Sequence, residues 1–288
     1  MKNVSSVLLG LSLAVVGSSF AAAQEMQGPP KVLQITREFI KPGKAGALHD
    51  KSESRFVAAM AAAKWPTHYF ALNSLSGKSR ALYFVGYPSF AAWEKDNEAT
   101  MKNPALSAEL EKASVADGEL LDGLEQFVFT YDEDLSYRPS ATLAHARYFE
   151  VASIHVKPGH IKEFRELSKL YIDTAKKAGT SGHWATYEVA YGADNLFLIL
   201  SDDKSMADID TGYAEEKQFL DALGEDGLKR MRELERESVQ DSDSQLFEIN
   251  PKQSYPPDAW VKDDPDFWKP KPEAPAAKPA TAAKKAAQ

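Results

Sequence analysis

Val32-Leu-Gln-Ile-Thr-Arg-Glu-Phe-Ile-Lys-Pro-Gly-Lys44 returns later in the chain as Tyr148-Phe-Glu-Val-Ala-Ser-Ile-His-Val-Lys-Pro-Gly-His160. In each copy about nine strand-forming residues run into Lys-Pro-Gly, and a helical pattern follows. Proline fixes φ and glycine accepts a left-handed backbone, so the tripeptide reads as a corner between strand and helix. The two corners lie 116 positions apart, from Lys41 to Lys157. In the first copy Leu33, Ile35, Arg37 and Phe39 alternate with Val32, Gln34, Thr36 and Glu38, which gives one mostly apolar face and one mixed face.

The order of elements after each corner also repeats. In the first copy Leu48, Ser52, Phe56 and Met60 make a helical stripe at spacing 4. His68 to Ser74 and Arg80 to Tyr87 read as strands around the turn Ser76-Gly77-Lys78. Ser89 can cap a helix that carries Phe90 and Trp93, and a further helical stretch runs from Pro104 to about Leu121. Glu125 to Tyr131 closes the unit as a strand. In the second copy Ile161, Phe164, Ser168, Tyr171 and Ala175 form the stripe, and His183–Tyr191 and Asn195–Leu200 flank Gly192-Ala-Asp194. A charged helix from Glu225 to about Val239 and a strand from Gln245 to Asn250 complete it. The order β-α-β-β-α-β is the ferredoxin-like or split βαβ unit.

The expected organisation is a signal peptide at 1–23, a leader at 24–31, ferredoxin-like units at 32–131 and 147–250, a linker at 132–146, a C-terminal extension at 251–268 and a tail at 269–288. Lys2, the apolar run Val7 to Val16 and Ala21-Ala22-Ala23 have the layout of a cleaved export signal. Export to a bacterial periplasm is the simplest destination, with no integral membrane segment after cleavage. The Ala/Pro/Lys tail lacks the apolar surface needed to order itself, whereas Trp260 and Phe267-Trp268 can tuck against the body.

The net charge is −8. Five lysines and one glutamate beyond residue 268 make the tail +4, and with Lys2 set aside residues 3–268 carry −13, which argues against nucleic-acid binding. The absence of cysteine excludes disulfides, thiolate metal sites and cysteine nucleophiles.

Strands such as Arg80–Tyr87 and Leu196–Leu200 are apolar on both faces and expect cover on both sides. The fold class is therefore α+β, two tandem ferredoxin-like units that pair their sheets within one chain and enclose a space between them. One chain would supply its own pseudo-dimer, so a monomer is expected over an obligate homodimer.

These units, the Lys-Pro-Gly openings and Ser89-Phe90-Ala-Ala-Trp93-Glu94 resemble the dimeric α/β-barrel superfamily, which includes antibiotic-biosynthesis-monooxygenase-like and NIPSNAP-like domains. The resemblance covers about residues 32–131 and 147–250 and implies ligands within the barrel or between sheet and helices. It also brings haem into question. A haem-degrading member would want a histidine about one helical stretch after the Trp93 position, and Asn97 to Pro104 has none. No cofactor is expected, although His68 or His183 leaves an axial haem ligand open.

Candidate binding residues are Arg37, Trp65, His68, Tyr83, Tyr87 and Trp93 in the first copy and His183, Trp184, Tyr187 and Glu188 in the second. Aromatics with a few polar groups suit a planar small molecule, and equally suit a core. The first functional reading is an exported binder of a small, aromatic molecule. The second is a cofactor-independent monooxygenase acting on an aromatic or quinone-like substrate, with His68 or His155 as base. The third is a solid barrel that serves protein contacts. No His-x-x-x-His or carboxylate cluster has metal-ligand spacing, so no metal is expected.

Overall fold

The computed structural model describes residues 28–269. The signal peptide and most of the tail lie outside them. The first half runs β1 (Val32–Ile40), α1 (Ala47–Ala63), β2 (Tyr69–Ser74), β3 (Arg80–Tyr87), α2 (Phe90–Met101), α3 (Pro104–Gly118) and β4 (Leu121–Tyr137). The second runs β5 (Tyr148–Val156), α4 (Ile161–Ala178), β6 (Trp184–Tyr191), β7 (Leu196–Asp203), α5 (Met206–Ser238) and β8 (Val239–Ile249), with short helices α6 (Asp258–Asp263) and α7 (Pro265–Trp268) after it.

Both Lys-Pro-Gly segments are tight turns. Lys44 N donates to Lys41 O at 3.0 Å and His160 N to Lys157 O at 3.0 Å. Gly43 and Gly159 take φ of +76° and +86°, which a β-carbon would resist.

The eight strands close into one antiparallel barrel in the order β1-β3-β2-β8-β5-β7-β6-β4. Each half contributes four neighbouring strands. The seams are β2 with β8, where Asn73 faces Glu248, and β4 with β6, where Tyr131 faces Tyr187. β4 is longer than the sequence suggests, because Asp132 to Tyr137, read as linker, continues as strand to reach Trp184 of β6. α5 likewise spans the whole region before β8, broken at Gly224 (φ +70°).

Alternation on the strands sends Leu33, Ile35, Phe84, Phe129, Phe149, Leu198 and Phe247 into the interior, all buried. Rings from the two halves meet there, with Phe70 5.6 Å from Phe149 and Tyr131 5.5 Å from Tyr187. Trp260 and Trp268 pack over these rings from the C-terminal helices, with Trp260 6.0 Å from Phe70. Side chains therefore occupy the space in which a ligand between the sheets was expected.

The helices cover the outside of the barrel. Over the second half that layer is apolar: Val156, Phe164, Leu167, Phe197, Met231 and Leu234. Over the first half the apolar clusters are smaller, Ile40, Ala71, Ala81 and Tyr83 in one and Val32, Tyr87 and Val128 in another, and α1 turns polar side chains inward. Of the stripe expected on α1, Ser52 is buried and Phe56 and Met60 are half-buried, but Leu48 is 53% exposed, and His49 and Glu53 are buried as well. No helix among the described residues is long and apolar enough to cross a membrane.

Candidate functional site

Four ionisable side chains converge under α1. Glu38 comes from the outer face of β1, His49 and Glu53 stand one turn apart on α1, and Asp117 comes from the end of α3. They are 7%, 1%, 3% and 2% exposed. His49 Nε2 is 3.2 Å from Glu38 Oε2 and 3.7 Å from Asp117 Oδ1, and one ligating atom from each of the four lies within 4.8 Å of all the others.

The surroundings are polar as well. Gln253, reaching across from the segment after β8, places its Nε2 3.2 Å from His49 Nδ1 and donates to Asp50 Oδ1 at 3.0 Å. Asn250 Nδ2 donates to the same Asp50 oxygen at 2.7 Å. Tyr83 of β3 stands against Glu53 and Glu38. Its hydroxyl, Ser52 Oγ, Glu53 Oε1 and Asp117 Oδ1 are buried without a hydrogen-bond partner. Groups of this kind normally find a partner, and a protonated Glu53 can share its proton with Asp117 beside it.

Burial dominates the electrostatics. It pushes Glu53 up to about 10, with the carboxylates of Glu38 and Asp117 adding to the rise. Glu38 is raised for the same first reason, opposed by its hydrogen bond to His49. Tyr83 is raised by burial and then by Glu53 and Glu38. At neutral pH Glu53 therefore keeps a proton that water would take from it.

The aromatic candidates from the sequence do not line one pocket. Trp65, Tyr87 and Trp93 share a small outer layer whose centre is Asp96 of α2. Trp65 Nε1 and Thr67 Oγ1 donate to Asp96 Oδ1 at 2.9 and 2.6 Å, Tyr87 OH donates to Oδ2 at 3.2 Å, and Trp93 stacks on Tyr87. This network fastens α2 to the sheet. Tyr83 belongs to the acidic group. His68 stacks on Tyr255 with ring centroids 4.8 Å apart. Arg37 points into one end of the barrel, over the Phe127 ring and 3.1 Å from Glu125. Tyr187 is interior core, and Trp184 Nε1 donates to Leu135 O beside Tyr137. Glu188 faces Arg165 at 3.4 Å, and His155 pairs with Asp241 at 2.8 Å, both on partly exposed surface.

His183 Nε2 lies 2.8 Å from Asp202 O and 3.6 Å from Asp202 Oδ1. The Asp202 carboxylate holds the imidazole up to about 9, against burial. Raised from an ordinary 6.5, His183 contributes stability that is complete below about pH 6.5 and lost as pH climbs through about 9. NMR titration of its ring protons should give a midpoint near 9, and His183→Gln should flatten stability against pH in that window. A midpoint at or below 6.5 would contradict the pairing.

Glu38, His49, Glu53, Asp117 and Asp96 are the residues that sequence reasoning missed. The one local signal was His49 and Glu53 at helical i, i+4 spacing, which places both on one face of α1.

No family model matches the chain, and no curated protein matches it. Solved structures do. An anthrone oxidase-like protein superposes with a TM-score of 0.50 at 12% identity over 80% of this chain and 93% of its own. A mutant chlorite dismutase from Candidatus Nitrospira defluvii gives a TM-score of 0.48 at 10% identity over 84% and 98%. At such identities the likeness is one of fold alone.

Proposed function

We propose that the chain is an exported, internally duplicated binder of a small ligand, and that its working site is the helix–sheet layer of the N-terminal half. Duplication is supported by strand register. Val32 faces Tyr87 in the first half and Tyr148 faces Asp203 in the second, and both members of the pair are displaced by the same 116 positions as the Lys-Pro-Gly corners. Export rests on residues 1–23, outside the described residues. Because one chain supplies all eight strands, a monomer is expected in solution.

The observation that carries the site is the contrast between the copies. Glu38 corresponds at this displacement to Ile154, which packs on the apolar layer under α4. The fold is therefore satisfied by hydrocarbon at that place. Burying carboxyls there costs several kcal/mol per charge unless they are paired or protonated, so a role beyond packing accounts for them best.

The oxygenase-type alternative, with an aromatic or quinone-like substrate, would draw its base from the same group. His49 is the buried imidazole with carboxylate partners, whereas His155 lies on the exterior and His68 is stacked on Tyr255.

Native mass spectrometry and an absorption spectrum of the protein purified from its source test the proposal. An adduct that is present in the native chain and absent from folded Glu53→Gln is expected. A bare chain mass in both, or an adduct indifferent to Glu53, would sink it.

A further inference from the structure

The geometry points to a divalent transition-metal ion as the ligand of the Glu38–His49–Glu53–Asp117 group, an inference that rests on the site proposed above and names its chemistry. Four donors all within 4.8 Å of each other are spaced for one ion. Metal–ligand bonds of about 2.0–2.2 Å put the donors of a common ion roughly 3–4.4 Å apart. His49 Nε2 already stands 3.2 Å from Glu38 Oε2 and 3.7 Å from Asp117 Oδ1. Three carboxyl oxygens and one imidazole nitrogen, with no cysteine in the chain, favour zinc, manganese or ferrous iron over magnesium or calcium, which prefer oxygen alone.

An acidic cluster alone would not justify a site. The independent observation is Tyr83, only 8% exposed, whose hydroxyl makes no hydrogen bond within 3.5 Å and stands against Glu53 and Glu38 from the sheet side. Ser52 Oγ is a second orphan from α1.

Gln253 supplies the switch between a protonated and a metal-bound state. With its amide nitrogen toward His49 Nδ1, the imidazole carries its proton on Nε2 and gives it to Glu38. Turning the amide by 180° brings Oε1, a buried acceptor without a partner, to receive a proton on Nδ1. Nε2 then offers a lone pair to the ion, in the arrangement common for metal-bound histidine. Asp50 Oδ1 would keep the hydrogen bond from Asn250. Residues 42–48, immediately before His49, are all exposed, which makes the path from solvent short.

The test is calorimetric titration of chelator-treated, untagged full chain with zinc or manganese, followed by elemental analysis after desalting. One equivalent per chain is expected. Glu53→Gln, which keeps the shape of the neutral acid, should weaken binding about 100-fold or more, and Gln253→Leu about 10-fold. Glu163→Gln, in the partly exposed His160–Glu163–Glu237 group, should bind like the unaltered chain. Circular dichroism must show each variant folded; should Glu53→Gln not fold, Gln253→Leu decides. Absent uptake, or uptake unchanged by both Glu53→Gln and Gln253→Leu, overturns the ion. An organic adduct lost in Glu53→Gln without any metal would also overturn it while leaving the site itself standing. Neither metal nor adduct would remove both.

Discussion

Trp268→Ala lowers the free energy of unfolding by about 3–5 kcal/mol, the usual cost of deleting a buried tryptophan side chain. Trp268 is 3% exposed although it ends a helix of four residues. Its ring lies 5.3 Å from Trp260 and 5.0 Å from Phe267, and its Nε1 donates to Ala144 O at 2.8 Å. Trp260 passes the contact on to Phe70 in the barrel. Removing the indole would empty a volume that these rings cannot refill, and leave the Ala144 carbonyl without its donor. Arg147 would keep its cation–π contact with Phe267, 3.8 Å from the ring centroid, so the segment should stay near the barrel rather than detach. Urea unfolding checks this: the midpoint should fall while the slope holds. A loss below about 1 kcal/mol would show that the C-terminal helices merely rest on the surface.

His49→Ala is expected to cost about 3 kcal/mol near neutral pH. The imidazole lies 3.2 Å from the Glu38 carboxylate, and Gln253 loses a partner on the far side. The cost is bounded, because a carboxyl left alone in the interior can take up a proton instead of staying charged. His49→Gln keeps a donor and should recover part of the loss. Denaturant unfolding of both variants is the check. Equal stability of His49→Ala and the unaltered chain would mean that the imidazole does not hold the carboxylates.

The architecture was legible because it is written in local chemistry. Lys-Pro-Gly demands a turn wherever it stands, and both copies form one with glycine at positive φ. The hairpins were legible for the same reason: Gly77 and Gly192 take φ of +72° and +104°. At Gly192 a β-carbon would come within 2.6 Å of Gln126 O, so no other residue fits without a shift.

The site was hidden because burial is a tertiary property. Glu38 sits on the mixed face of a strand, where glutamate usually meets water; here α1 and α3 cover it. His49 and Glu53 share a face of α1, but the alternative stripe beginning at Leu48 looked more apolar and drew the choice. Nothing in the sequence ties either to Asp117 or Gln253, which arrive from distant segments. The aromatic positions were ambiguous for a different reason. Rings suit a ligand wall and a core equally, and here Tyr187 went to the interior while Trp65 and Tyr87 were drawn to Asp96.

Stability of the fourfold variant Glu38→Ile, His49→Leu, Glu53→Leu, Asp117→Leu most directly tests whether the acidic group serves function rather than fold. It recreates under α1 the kind of apolar layer that packs under α4. Exchanging a buried polar network for packed hydrocarbon is commonly neutral or stabilising by about 1–4 kcal/mol. The prediction is an unfolding free energy at least equal to that of the unaltered chain, together with complete loss of ligand binding. A folded state weaker by more than about 3 kcal/mol would contradict it, because the four groups would then be holding the barrel together rather than waiting for a ligand.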